Sequence, residues 1–92
     1  MVGLEAHRRE TAQRALGLLD SGDVAELGGA LAVLASLVFG PDKSTISNAW
    51  HAVRNLDLAQ IVAYIPTRDV QAALDEIRPT IEPLLLELAW AG

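Results

Sequence analysis

The run LGGALAVLASLVFGP, Leu27 to Pro41, contains no charged side chain. A helix that is apolar on all sides is normally buried on all sides. A membrane span needs about 20 consecutive apolar residues, and Asp23, Glu26 and Asp42 bound this run too tightly for that. The run therefore reads as the central helix of a core, roughly 24–39. Leu27, Leu31, Leu34 and Val38 form a bulky stripe on one face. Gly28, Ala32 and Ser36 lie four apart on another and leave room for a second helix to approach closely.

Everything else has to pack around that helix, and the punctuation on either side says how. Residues 3–19 read as a first helix, polar early and carrying Ala12, Ala15, Leu16, Leu18 and Leu19 later. Gly22 suits the left-handed position that ends a helix. Asp23 and Glu26 have capping-box spacing at the start of the second helix. Gly40-Pro41 stops it. Asp42 or Ser44 can cap a third helix to about residue 54, with Ile46, Ala49, Trp50 and Val53 on its apolar face.

Asp57 and Gln60 repeat the capping-box spacing, and Leu56 and Ile61 have the spacing of a hydrophobic staple. They predict a fourth helix with Leu58, Ile61, Val62 and Ile65 facing the core at i, i+3, i+4, i+7. Pro66 ends it. Thr67 can cap a fifth helix, about 68–78, with Val70, Ala73, Leu74 and Ile77 inward. Pro79 lacks an amide and clashes with the preceding turn, so a sixth helix, about 81–90, is expected after it. The alternative is one kinked helix holding both Pro79 and Pro83. No segment shows the alternation of a strand. The expected fold is all-α: one domain over residues 1–92, a compact bundle of five to six short antiparallel helices around the apolar second helix.

Composition sharpens this. Hydrophobic residues make up 51% of the chain but aromatics only 4%, so the core must be aliphatic. So much apolar material in a domain this small leaves some on the surface, where it usually marks a partner site. The formal charge is -5, which disfavours phosphate backbones and anionic membranes. With no cysteine, disulfides and thiolate metal sites are excluded. No basic region followed by an apolar stretch opens the sequence, so a cytoplasmic protein is expected.

Two segments carry functional hints. In FGPDKSTISNAWHAVRN, Phe39 to Asn55, a glycine turn precedes a helix whose wet side holds Lys43, Ser44, Ser47, Asn48, His51 and Arg54. Ser36, Gly40 and Ile46 have the small–Gly–apolar spacing that resembles a DNA-binding helix-turn-helix, which implies base or phosphate contacts from Lys43, Asn48 and Arg54. Against that, Lys43 and Arg54 are the sole cations of residues 31–60 and Asp42 and Asp57 offset them. The plainer reading is one polar helix face, with nucleic acid an unfavoured partner.

The second segment is TIEPLLLELAWAG, Thr80 to Gly92. Ile81, Leu84, Leu85 and Leu88 can face the core, while Leu86 and Trp90, at i, i+4, lie on another side. Leu84, Leu86 and Trp90 are the candidate partner interface, tryptophan being favoured at interface hot spots.

No catalytic constellation, P-loop or dinucleotide fingerprint is present. Neither His7 nor His51 has the further ligands that a metal needs. No enzyme activity, cofactor, metal or small-molecule substrate is expected. The sequence points to a small interaction module, an adaptor, inhibitor or regulator, that binds a protein partner or itself as a homodimer. The alternative is a helix-turn-helix transcriptional regulator.

Overall fold

The computed structural model describes residues 2–64 and 66–90. They form four α-helices: α1 (Val2–Ser21), α2 (Val24–Leu37), α3 (Pro41–Ala63) and α4 (Thr67–Trp90). Each packs mainly against its neighbours in the cyclic order α1–α2–α3–α4–α1. The product is an elongated antiparallel bundle, 43 × 20 × 19 Å.

The expected count of five to six helices is corrected to four, because two expected breaks are bridged. The first is at Asp57. No Gly or Pro interrupts residues 42–65, so nothing forces the chain out of the helix there. A capping pair works only when the cap residue is already non-helical. Inside a continuous helix, Asp57 and Gln60 are simply surface neighbours. Helix α3 runs on to Ala63 and stops at Tyr64, which adopts the left-handed conformation (φ 53°, ψ 49°). The Tyr64 amide donates to the Gln60 carbonyl at 3.1 Å.

The second bridged break is at Pro79. Both Pro79 and Pro83 lie inside α4. They are exposed and four residues apart, so they share one wet face. The carbonyls left without an intrahelical partner, those of Asp75 and Pro79, lie towards water. A helix accommodates a lost hydrogen bond far better on that side than against the core. The single-helix alternative for residues 68–90 is therefore the one formed, and α4 starts where the Pro66 carbonyl accepts from the Asp69 and Val70 amides at 3.0 and 3.2 Å.

The expected stops at Gly22 and Gly40-Pro41 hold. Gly22 has φ 75° and Gly40 φ 76°, a region that side chains disfavour. Pro41 occupies the first turn of α3, where its missing amide costs nothing. Half of the expected capping box forms. The Asp23 carboxylate accepts from the Glu26 amide at 3.1 Å. The Glu26 side chain instead meets Arg14 at 3.4 Å.

The core is aliphatic throughout. Leu27, Leu31, Leu34 and Val38 are buried as a stripe against Ala12, Ala15 and Leu19 of α1, Ile46, Ala49 and Val53 of α3, and Val70, Leu74, Ile81 and Leu85 of α4. The smooth stripe also does its part at one end: a Cβ at Gly28 would meet Val53 at 3.6 Å. Contrary to expectation, α2 is not buried on all sides. Ala25, Gly29, Val33 and Ser36 line an exposed face. That face avoids a large apolar penalty by being small rather than charged.

Two stability outcomes follow. Leu34→Ala should lose about 2–5 kcal/mol of unfolding free energy in urea titration, because a fully buried leucine leaves a cavity. Gly29→Ala, with open space around its Cβ, should gain roughly 0.5–1 kcal/mol from helix propensity.

Candidate interaction surface

The α2–α3 pair bears first on the DNA-reading expectation. Gly28 and Val53 are neighbours, one well before the Gly40 turn and the other equally far beyond it. The helices therefore lie alongside each other for most of α2, as an antiparallel hairpin. A helix-turn-helix crosses its two helices at about 90–120°. The Ser36, Gly40, Ile46 register does not build that motif here.

Lys43, Ser44, Asn48, His51 and Arg54 are exposed and Ser47 half-buried, so the polar face is real. Its chemistry is anchored by Trp50, which is half-buried against the core. Arg54 sits over the indole at 5.9 Å from its centroid, a cation–π geometry. The His51 ring is tilted beside the indole at 4.6 Å. Neither Lys43 nor Arg54 takes part in an ion pair among the described residues.

The same face changes character towards its C-terminal end. Beyond Val53, α3 contributes no fully buried side chain. Leu58, Ile61 and Val62, expected in the core, are 50%, 67% and 79% exposed, and Tyr64 is 88% exposed. Ile65 lies outside the described residues. The reason is length: α3 has 23 residues and α2 only 14. At 1.5 Å per residue, α3 extends past the end of its partner. The i, i+3, i+4 spacing makes an apolar face but supplies nothing to cover it.

On α4 the candidate interface divides. Leu84 is only 8% exposed and belongs to the core, which removes it from the expected interface. Leu86 and Trp90 are 43% and 69% exposed. Together with the exposed Pro79 and Pro83 they form an outward stripe at i, i+4, i+7, i+11. Glu76 and Glu87 flank it, exposed and without ion pairs among the described residues.

Between α3 and α4 runs an open groove of about 250 Å³, lined by Thr45, Asn48, Ala49, Ala52, Glu76 and Ile77 among others. It is too small and shallow to enclose a drug-sized ligand. Among the described residues no group of three His, Asp or Glu side chains is placed to hold a metal, and no helix is long and apolar enough to cross a membrane.

The bundle is closed by Arg78, which the sequence reading passed over. Its guanidinium donates to Glu82 at 2.8 Å, Asp20 at 2.9 Å and the Leu19 carbonyl at 3.2 Å. The Leu19 carbonyl is one of the groups that the end of α1 leaves without a helical partner, and Gln71 also donates to it at 3.4 Å. Hydrogen bonds to Glu82 and Asp20 push the Arg78 pKa above its ordinary value, so the cation persists at any working pH.

Comparison with protein families, curated proteins and solved structures finds no match to this chain.

Two measurements check this surface. Arg78→Met should lower Tm, and added salt should narrow the gap to the parent protein, as screening weakens the lost charge contacts. In dilute solution, Trp90→Phe should leave a tryptophan shielded from acrylamide, and Trp50→Phe should leave one readily quenched. The reverse order would contradict the placement of both indoles.

Proposed function

We propose that this chain acts by binding other polypeptide chains, as a small interaction module without catalytic chemistry of its own. One observation carries the reading. Leu58, Ile61, Val62 and Tyr64 present a contiguous run of exposed apolar side chains at one end of the bundle. A monomer gains nothing from such a surface, and exposed apolar patches mark contact sites. Leu86 and Trp90 add a second apolar patch on α4. Both sit on rigid helices, so docking would order little of the chain and lose little entropy. A cytoplasmic setting and a regulatory or adaptor role are consistent with this reading. The hairpin geometry of α2–α3 and the shortage of cations give the DNA-binding alternative no comparable support.

The test uses the purified chain as bait and measures its mass alone and after exposure to cell extract. Self-association or retention of a protein is expected, and Ile61→Asp with Val62→Asp should weaken it at least tenfold while helicity is unchanged. Each buried side chain is worth roughly 1.5–3 kcal/mol, and about 1.4 kcal/mol is tenfold in affinity. A chain that stays monomeric and retains nothing would refute the proposal. Retention of duplex DNA at physiological salt, lost on Arg54→Ala, would favour the nucleic-acid reading instead.

A further inference from the structure

The groove between α3 and α4 exists because Thr45, Ala49 and Ala52 are too short to fill the space there. Ala49 and Ile81 are buried in its floor, and Ala52 and Ile77 are half-buried. Its two rims differ. The α3 side, Thr45, Asn48 and Ala52, is uncharged, whereas the α4 side carries Glu76 beside Thr80. At about 100° per residue, Glu87, eleven residues on, and Asp69, seven residues back, both stand within about 20° of Glu76 round the helix. The three carboxylates form one acidic line about 27 Å long. All are exposed, and none is in an ion pair among the described residues. None has a cation three or four residues away. Asp69 suits the first turn of α4, where an acid favours the helix dipole. Glu76 and Glu87 have no such local reason to be acidic.

The cations of α3 and α4 do not answer this line. Arg78 pairs with Asp20, Asp75 and Glu82. Arg68 is eight residues before Glu76, which puts it about 80° round α4. Lys43 and Arg54 stand about 120–140° round α3 from Asn48, and Arg54 stacks on Trp50. The groove also runs between the two exposed apolar patches. Asn48, Asn55 and Val62 repeat every seven residues, so the α3 rim leads to Val62 at one end. Trp90, fourteen residues beyond Glu76, stands within about 40° of the acidic line at the other.

We propose that this groove binds a basic amphipathic helix of a partner protein. The inference rests on the interaction reading above and names the chemistry of the partner. Charge complementarity sets the sign: lysine or arginine side chains on the occupant meet Glu76 and Glu87. The walls set the conformation. Both are α-helices and offer no strand edge, so an extended chain would leave its backbone groups unpaired, whereas a helix arrives with its own hydrogen bonds made. The ends set the length. From Asp69 to Trp90 is about 32 Å, the length of a helix of about 21 residues. Such a helix can place one apolar side chain on Val62 and another on Trp90, with its cations between them. The short side chains of Ala49 and Ala52 let it approach closely.

Titration calorimetry of the full chain tests this. The probe is a helical peptide of about 21 residues, made of Ala, Leu and Lys, with Leu near each end and Lys between them on one face. It should bind, weaken with added salt, and shift the amide resonances of Thr45, Asn48, Ala52 and Thr80. The same peptide with Glu in place of Lys should not bind. Glu76→Lys/Glu87→Lys should weaken binding at least tenfold. Glu5→Lys/Glu10→Lys, an equal change of charge on α1, should weaken it less than threefold. All four positions are exposed, so both variants should keep their helicity. No binding of the Lys peptide, equal binding of the Glu peptide, equal losses in the two variants, or resonance shifts confined to other residues would each overturn the inference. Self-association of the chain that is lost in Glu76→Lys/Glu87→Lys would put a second copy in the groove and overturn it too. If the Lys peptide does not bind yet the chain retains an extract protein through Ile61 and Val62, the groove is not the site and the interaction reading stands.

Discussion

The bundle depends on the buried stripe of α2. Leu27, Leu31 and Leu34 are completely removed from water and touch the inward faces of the other helices. Almost no aromatic bulk is available to fill the centre, so helices have to come close instead. The small residues at the contacts allow this: Ala12 and Ala15 on α1, Gly28 on α2 and Ala49 on α3. Leucine volume is thereby matched to short interhelical distances. Branched and unbranched aliphatic side chains then fill the space without a polar atom to satisfy.

That apolar core is non-directional and would not by itself say which helix ends meet. Direction comes from the few polar ties between α1 and α4. Arg78 and Gln71 converge on the Leu19 carbonyl at one level of the bundle, and Gln13 donates to the Ala89 carbonyl at another, 3.2 Å away. Among the described residues Arg78 is the one cation with several ion pairs, and it is used to close the fold.

Much of this was legible in the sequence. The uncharged run of α2, the stops at Gly22 and Gly40-Pro41, and the all-helical composition follow from local rules. So does the inward face of α3, because Ile46, Ala49 and Val53 repeat at helical spacing. The polar set from Lys43 to Arg54 was legible for the same reason. Less legible were the two internal boundaries. A cap at Asp57 and a break at Pro79 are both permitted by local chemistry, and the continuous alternative is permitted as well. Packing decides between them: an exposed proline is tolerated in a helix whose opposite face is held by the core. Leu84 shows the same limit, since its position in α4 allows two faces and only the neighbouring helices assign it to the core.

What the sequence determined by itself was therefore the helical class, the identity of the central helix and the list of polar and apolar stripes. Periodicity and turn chemistry act over a few residues and are written there directly. Only the tertiary structure decided which apolar stripes are covered. Leu58, Ile61 and Val62 have the spacing of core residues, yet they are exposed because α3 outlasts the shorter α2 that would have covered it. Burial is a property of two surfaces meeting, and a stripe on one helix does not specify whether the second surface is there.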